Sequence, residues 1–517
     1  MPELSRKSSA TVCATQPQPT PPSAEPIVPN ITSEKRPNGL LARISLLPEI
    51  ENAYAYERRV KWLITAVVAM AAATTPMSAS IFYPSIQDMS RDLHASPTVI
   101  NLSVAFYLLS SSIFPLWWSS YSETAGRRAI FLISFLLNAV LTFACGMSSS
   151  IAMLIALRLI SGGAAASAQS VGAGVIADIW LPEERAYAMS IFYLGPLAGP
   201  LFLPLIGGVL TERFGWRSVI WFLTAYGVLI LVLIALALPE TLAKRHMGAE
   251  QRLENHSNDP LAIPSRKSRT RRGAKLIRHH LVNPLAVVAH LRFPPVAIVI
   301  YIAAIGFGSC YVLNISMQVA FSDSPYEYSP MIVGLLFIPN TVGCILVSVF
   351  GGAWVDKIMV RAAQDAGRYD SEGRPIYLPE DRVGLNAWVA LTVYPVSLIW
   401  YGWTVQNGVH WAAPSVAVLF FGGGVMMVFS ATTTMAAEFI PRNSSSGVAL
   451  NNLIRNICSC AGTVIAQPLI DVMGHGWLLT IIGLLAWVTG YMCILFLKRR
   501  GQRWRDKMET ALSVQCP

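Results

Sequence analysis

The stretch RSVIWFLTAYGVLILVLIALAL, residues 217–238, decides the fold class, because 21 consecutive uncharged residues follow Arg217. A helix needs about 20 apolar residues to cross the roughly 30 Å hydrocarbon core of a bilayer. This segment is therefore predicted to be a membrane-spanning helix. A spanning β-strand needs only about ten residues with alternating polarity, so the length also excludes a β-barrel.

Eleven further stretches of similar length and composition lie on either side of this one, in two sets of six separated by a polar segment. The predicted spans are 62–84, 98–118, 129–148, 150–176, 187–210, 217–238, 294–319, 331–354, 386–404, 413–435, 448–472 and 477–497. The sequence thus predicts an all-α integral membrane protein with twelve transmembrane helices.

The composition of the 517 residues excludes other classes of protein. Hydrophobic residues make up 53% and charged residues 13%, whereas soluble domains carry roughly 25% charged residues. A soluble multidomain enzyme is therefore excluded. The eight cysteines are spread singly from Cys13 to Cys516, and none forms a pair with metal-ligand spacing. No nucleophile–base pair stands in any loop, so we expect neither an enzyme nor a cofactor.

The distribution of Lys and Arg predicts the orientation, because these residues accumulate on the cytoplasmic side. With both termini in the cytoplasm, 34 of the 39 fall on inner segments, and the outer loops hold only Arg91, Arg213 and Arg217. Two more lie inside spans. The net charge of +10 is therefore explained by topology, and we expect no nucleic-acid partner.

The spans and the charge distribution together predict five parts. Two six-helix bundles are flanked by cytoplasmic segments, of which the first is rich in Pro, Ser and Thr and is expected to be disordered. The linker is basic and includes SRKSRTRRGAK at 265–275. The parts are a tail (1–60), an N-terminal bundle (61–240), a linker (241–292), a C-terminal bundle (293–500) and a tail (501–517).

Two short inner turns carry charges that point to a gate. The turn after span two reads PLWWSSYSETAGRRAIF, and its candidate gating residues are Glu123, Gly126, Arg127 and Arg128. The turn after span eight reads GGAWVDK and has Gly352, Asp356 and Lys357 at the same relative positions. Carboxylates and guanidiniums beside helix ends can form a charge cluster that breaks when the loop moves. The alternative is that these basic residues have no gating role and only reflect the general excess of Lys and Arg at the cytoplasmic ends of spans.

These turns resemble the loop between spans two and three of the major facilitator superfamily, whose signature is Gly-x-x-x-Asp-Arg-x-Gly-x-Arg. Ser119 and Thr124 replace the first Gly and the first Arg in one copy, and Met359 replaces the second Gly in the other. The resemblance implies the major facilitator fold, with two pseudo-symmetric six-helix bundles that rock around a site near the midplane.

Span five contains YLGPLAGPLFLPLIGG, which is similar to the antiporter signature Gly-x-x-x-Gly-Pro-x-x-Gly-Gly of that superfamily. Leu203 and Pro204 stand where the paired Gly belongs. The matching residues are Gly195, Gly199, Pro200, Gly207 and Gly208. Together with LPETL at 238–242 and YGWT at 401–404, the segment resembles fungal twelve-span drug:proton antiporters. This implies export of small molecules in exchange for protons. Ordinary tight helix packing is the alternative reading of the glycines.

Arg158 and Arg455 lie inside predicted spans, with Arg158 roughly 12 Å from the outer end. A charge at such depth costs at least about 2.5–3.5 kcal/mol, so each should face a cavity or a partner. In the superfamily the arginine that matches Arg158 is linked to proton transfer. The alternative for both residues is a structural arginine bonded to helix carbonyls.

No predicted span has a carboxylate near its middle. Asp178 and Glu438, at matching inner ends of spans four and ten, are the candidate proton carriers. Two buried arginines without a carboxylate disfavour a cationic substrate and lead to the hypothesis of an organic anion. Asn101, Asn340, Gln169 and Tyr193 are candidates for neutral hydrogen bonds in the cavity, although helix–helix bonding explains them equally well.

The sequence therefore predicts a secondary active transporter that exports a drug, organic acid or secondary metabolite by proton antiport. A broad-specificity multidrug pump, an uncoupled facilitator of the same fold and a non-transporting sensor are the alternatives. The expected partners are a small-molecule substrate, protons and the lipid bilayer, and the expected form is a monomer. The plasma membrane is the expected location, with vacuolar and vesicular membranes as alternatives.

Overall fold

A computed structural model describes residues 46–48, 50, 53–242, 283–365, 367–369, 384–439 and 444–514, and within some helices it describes the backbone alone. Most of the predicted N-terminal tail and of the basic linker lies outside the described residues. All secondary-structure elements of the described part are helices, and none of its residues forms a β-strand. The end of the molecule at which Gly126 lies is called the inner end below, and the end at which Asp92 lies is the outer end.

The first half of the chain forms six spans, three of which consist of two consecutive helices. The helices are α1 (Arg58–Ser80), α2 (Ile86–Asp92), α3 (Pro97–Ile113), α4 (Pro115–Ala125), α5 (Arg127–Gly146), α6 (Ile151–Ala165), α7 (Ser167–Ile179), α8 (Pro182–Phe214) and α9 (Arg217–Ala237). Short 3₁₀ helices occupy Ala53–Ala55 and Tyr83–Ser85.

The second half repeats the pattern after a 3₁₀ helix at Asn283–Arg292. Its helices are α10 (Pro294–Ser322), α11 (Pro330–Leu335), α12 (Ile338–Asp365), α13 (Leu385–Gln406), α14 (Ala412–Glu438) and α15 (Ser444–Val514). The last of these contains spans eleven and twelve, which meet at Gly474, where the backbone leaves the helical region with φ 78°. Helix α15 also continues through most of the segment predicted as the C-terminal tail.

Local sequence explains where several helices begin and end. The Ser96 and Ser150 hydroxyls accept hydrogen bonds from Val99 N and Met153 N, as N-caps do, and start the second and fourth spans. Gly126 has φ 99°, a left-handed conformation that glycine adopts without a steric penalty, and it separates α4 from α5. Most predicted span boundaries agree with the observed ones to within a few residues.

Helix pairing shows the pseudo-symmetry of the two halves. In the first half, α1 packs on α8, α3 on α6 and α5 on α9, which pairs spans one with five, two with four and three with six. In the second half, α10 packs on α15, α12 on α14 and α13 on α15, which gives the equivalent pairs. The halves meet through α3 with α15 and through α8 with α11. This is the predicted pair of six-helix bundles.

The surface of the bundles is apolar, as a lipid environment requires. Large hydrophobic side chains such as Phe143, Phe350, Val472 and Val488 point outward and are more than half exposed. Within the described residues, nine helical stretches are long and apolar enough to cross a membrane, and one of them, 449–505, has the length of two spans. Helices α8 and α13, at the positions predicted for spans five and nine, are also long enough to cross a bilayer.

Candidate functional site

Arg455 is the cation at the centre of the candidate site. It lies eleven residues after the start of α15, about 16 Å along the helix, and only 8% of it is exposed. Its guanidinium carbon lies 4.0 Å from the centre of the Phe307 ring and 4.6 Å from that of Phe429. Its Nε and Nη1 atoms are buried without a hydrogen-bond partner among the described residues. Two donor atoms of this guanidinium are therefore unpartnered in the described part of the chain.

Residues from both halves surround this guanidinium. Tyr311 of α10 and Tyr193 of α8 are close enough to interact with it electrostatically. Asn451 precedes Arg455 by four residues on α15 and so shares its helix face. It is fully buried, donates to Thr433 Oγ1 at 3.4 Å, and its Oδ1 accepts no hydrogen bond from the described residues. Sequence reasoning named Arg455 and Tyr193 but missed Tyr311, Phe307, Phe429 and Asn451.

Arg158 is buried in a different way, because its guanidinium is engaged by neighbouring helices. Its backbone lies about 10 Å along α6 from the outer end of that helix, and only 3% of the residue is exposed. Its Nη2 donates to the Ser78 carbonyl at 2.8 Å, and the rings of Phe82 and Tyr107 each lie 4.3 Å from its guanidinium carbon. Arg158 therefore contacts spans one, two and four, while its Nε has no hydrogen-bond partner among the described residues. Its predicted place in the substrate or proton pathway stays a prediction.

The predicted gating turn after span two forms a compact charge cluster at the inner end. Arg127 Nε donates to Asp178 Oδ2 at 3.0 Å and Arg127 Nη1 donates to Ser122 Oγ at 2.6 Å. The candidate proton carrier Asp178 is thus the ion-pair partner of Arg127. Glu123, by contrast, is exposed at the end of α4.

Glu240 of the LPETL segment, which was not predicted as a site residue, completes this cluster. Its Oε1 accepts from Arg127 N at 2.9 Å and its Oε2 from Arg128 N at 3.2 Å, which caps the start of α5. In return, Arg128 Nη1 and Nη2 donate to the Leu238 and Ala235 carbonyls at 2.6 and 2.8 Å, which caps the end of α9. Spans three and six are thereby clamped to each other at their inner ends.

Several predicted residues lie where only the backbone is described. Gly352, Asp356 and Lys357 are in α12, Glu438 is the last residue of α14, and Gly199 and Pro200 are in the middle of α8. Gly199 and Pro200 lie within the fifth span, as predicted. The predicted turn after span eight is wrong, because α12 continues through Asp356 and Lys357 to Asp365. The sequence from Ala353 to Asp365 contains no Gly or Pro that would end the helix. The predicted second charge cluster at Asp356 and Lys357 stays a prediction, because their side chains lie outside the described ones.

The other antiporter-signature glycines lie at close helix contacts. A Cβ on Gly195 would be 2.0 Å from the Ala69 carbonyl oxygen, and one on Gly207 would be 2.2 Å from that of Ile81, so both permit α8 to approach span one. A Cβ on Gly208 would be 2.3 Å from the Pro330 carbonyl oxygen, which belongs to the other half. The reciprocal contact brings Gly334 against the Pro204 carbonyl, at 2.5 Å from an added Cβ.

Further contacts hold the two halves together at the outer end. Gln87 Nε2 donates to Asp323 Oδ1 at 2.5 Å, and Met331 N donates to Glu212 Oε2 at 3.1 Å. The Tyr83 and Phe337 rings stack with centroids 5.7 Å apart. These contacts close the outer end, because they join spans one and five of the first half to spans seven and eight of the second.

The remaining polar candidates are not brought to Arg455 by any described contact. Asn101 on α3 is fully buried, with both amide atoms unpartnered among the described residues. Asn340 lies against α14, where its carbonyl and side-chain oxygens would be 2.1 and 2.6 Å from a Cβ on Gly422. Gln169 is half-buried on α7. They stay predictions.

The family is decided by comparison with known proteins. The family model for the Major Facilitator Superfamily matches residues 68–463, which is more than half of the chain. The chain belongs to the major facilitator superfamily. The predicted fold is thereby confirmed, and the protein is a membrane transporter, not an enzyme.

Two similar proteins within the superfamily come from fungi. MFS antiporter QDR3 of Candida albicans (strain SC5314 / ATCC MYA-2876) is 32% identical over 94% of this chain and 84% of its own length. Citrate exporter 1 of Aspergillus niger is 27% identical over 90% of each chain. The crystal structure of a D-xylose-proton symporter superposes with a TM-score of 0.62 at 14% identity, over 84% of this chain and 97% of the symporter, and supports the fold alone. The resemblance to the fungal antiporters is confirmed.

Proposed function

We propose that this transporter exports a small organic anion from the cytoplasm by alternating access, with Arg455 as the residue that binds the anion. The observation that carries the proposal is the Arg455 guanidinium, which is buried with Nε and Nη1 unpartnered among the described residues. A charge at membrane depth is tolerated where it meets a partner or lines a transport path. A carboxylate would accept hydrogen bonds from these two atoms, and charge-assisted bonds of this kind are strong.

The surroundings of Arg455 favour a monoanion with an apolar body. Phe307 and Phe429 offer ring faces, and Tyr311 and Tyr193 offer rings with hydroxyl groups. Arg158 donates to the Ser78 carbonyl through Nη2 and has one donor atom, Nε, without a partner among the described residues, whereas Arg455 has two such atoms. We therefore assign substrate binding to Arg455. The proposed substrate class is therefore an aromatic or aliphatic carboxylate with one charge.

The two ends of the bundles would supply the alternation. The outer end opens when Gly208 separates from Pro330 and Gly334 from Pro204, since these backbone contacts close it in the structure. At the inner end, the cluster of Arg127, Asp178 and Glu240 ties spans three, four and six of the first half into one unit. Such a unit moves as a rigid body. We propose that charged residues of the two inner segments hold the inner end closed when the outer end opens, namely Glu123, Arg127, Arg128, Asp356 and Lys357.

Antiport is the proposed mode of coupling. The glycines of the span-five signature and the printed name of the antiporter QDR3 support it. In drug:proton antiporters, which the chain resembles, the counter-ion is the proton. Asp178 and Glu438 stay the candidate carriers, although Asp178 already pairs with Arg127. The proposed location is the plasma membrane, with both termini in the cytoplasm and a monomeric chain.

The test is comparative metabolite profiling of medium and cytosol in cells that lack or overproduce the protein. We expect one acidic compound to fall in the medium and rise in the cytosol when the protein is absent. Unchanged profiles together with altered sensitivity to unrelated cationic or neutral drugs would contradict the anion proposal and support a multidrug pump. Efflux that is insensitive to every ion gradient would support an uncoupled facilitator instead.

A further inference from the structure

The last helix of the chain continues well past the membrane. Beyond Gly474, α15 runs without a break to Val514, a length of about 60 Å at 1.5 Å per residue. The hydrocarbon core of a bilayer is only about 30 Å thick. The last large exposed apolar side chains on this helix are Leu495 and Phe496, which are 41% and 44% exposed. The residues after Phe496 therefore extend from the inner end of the bundle through the headgroup layer.

This extension, residues 498–514, has two different faces. On one face, Met508 is 1% exposed and Gly501, seven residues earlier, is buried. On the other face, Arg499, Arg503 and Lys507 are exposed and follow one another at intervals of four residues, which places them in one row along the helix. The row is about 12 Å long. Basic residues that only mark the inner side of a membrane need no such alignment.

The extension is strongly basic. Residues 498–514 contain six Lys or Arg and only two acidic residues, Asp506 and Glu509, so their net charge is +4. Pairing of both carboxylates with neighbouring cations leaves four positive charges. Lys498 Nζ lies 5.6 Å from the centre of the Trp388 ring, near the start of α13, so the basic segment begins where the spans reach the inner surface. Basic segments at this position attract anionic headgroups.

We propose that the exposed face of the extension binds a phosphoinositide, a phospholipid whose inositol ring carries further phosphates, in the leaflet at the inner end. The headgroup layer adds only about 5–8 Å to each side of the hydrocarbon core, whereas Arg503 and Lys507 lie about 10 and 16 Å beyond Phe496 along the helix. A headgroup with one phosphate meets only the start of the row, while ring phosphates project toward the later cations. Arginine binds phosphate oxygens through two parallel hydrogen bonds. This proposal does not depend on the proposed substrate.

The test is calorimetric titration of the purified full-length protein in detergent with dioctanoyl phosphatidylinositol 4,5-bisphosphate, a water-soluble phosphoinositide. Replacing two arginines of the row, Arg499→Gln with Arg503→Gln, should weaken binding about 30-fold, because each basic residue near an anionic lipid contributes about fivefold. The matched control is Arg58→Gln with Arg59→Gln, which removes the same charge from exposed residues at the start of α1. The control should stay within about threefold of the original chain, and both double variants should keep its unfolding midpoint.

Four results would overturn the proposal. Absence of binding to the original chain would show that the basic face is not a lipid site. Equal weakening in the two double variants would reduce the effect to general attraction by the positive inner end. Inositol 1,4,5-trisphosphate that binds as tightly as the lipid would identify a site for free phosphates. Dioctanoyl phosphatidylserine that binds as tightly would show that the ring phosphates contribute nothing.

Discussion

Glu240→Gln tests the clamp between spans three and six. The Glu240 carboxylate accepts from Arg127 N at 2.9 Å and from Arg128 N at 3.2 Å. These are two of the amides at the start of a helix that lack a partner within the helix. A glutamine keeps one acceptor oxygen, but its NH₂ group would face an N–H donor. The substitution therefore removes one hydrogen bond and the negative charge at the positive end of the α5 dipole.

The expected loss of stability follows from these two changes. A hydrogen bond to a charged group contributes about 1.5–3 kcal/mol, and a charge at a helix N-terminus contributes about 0.3–1 kcal/mol. The free energy of unfolding should therefore fall by about 2–4 kcal/mol. At about 2–4 °C per kcal/mol for a unit of 150–250 residues, the unfolding midpoint should fall by roughly 5–15 °C.

Thermal unfolding of the full chain in detergent, followed by tryptophan fluorescence, measures this loss. Glu123→Gln is the matched control, because it makes the same chemical change at an exposed position on the neighbouring helix. Surface substitutions of this kind usually change stability by less than about 0.5 kcal/mol. Equal midpoints for the two variants would refute the assignment of Glu240 as the residue that caps α5.

Three further predictions concern the gate residues. Gly126→Ala should lower stability by about 1–3 kcal/mol, because φ is 99° and the new Cβ would lie 2.5 Å from Glu240 Oε2; an unchanged unfolding midpoint would contradict this. Asp178→Asn should lower stability by about 1.5–3 kcal/mol through loss of the Arg127 ion pair, while equilibrium dialysis shows unchanged anion affinity. Gly208→Leu should prevent outer closure, since its Cβ would lie 2.3 Å from the Pro330 carbonyl oxygen. A cysteine placed at Phe337 should then react several-fold faster with an impermeant maleimide, and an unchanged rate would count against the closure described.

The fold could be predicted almost completely from the sequence, because each span is a local property of about 20 residues. The charge counts then predict orientation without any knowledge of contacts. The turn at Gly126 was also predictable, since a glycine followed by two arginines separates two apolar runs. The helical continuation of α15 to Val514 was not predicted, because its polar sequence lacks the apolar signal on which span prediction depends.

The site could be predicted only in part, because contacts between distant segments determine what each side chain does. Arg158 and Arg455 look alike in sequence, and both are buried with aromatic rings beside them. What distinguishes them is the Ser78 carbonyl, 80 residues away from Arg158 along the chain. Similarly, Glu240 meets the start of α5 across 113 and 112 residues, a distance over which no local pattern signals a cap.

Binding of an organic anion to a matched pair of variants, Arg455→Gln and Arg158→Gln, tests the central role of Arg455 most directly. Equilibrium dialysis of radiolabelled 2-naphthalenesulfonate against each purified protein gives the two dissociation constants. Loss of a charged hydrogen-bond donor should weaken binding to Arg455→Gln by about 10-fold to 150-fold, while Arg158→Gln stays within about threefold of the original chain. Equal weakening in both variants, or unchanged binding in Arg455→Gln, would contradict the account.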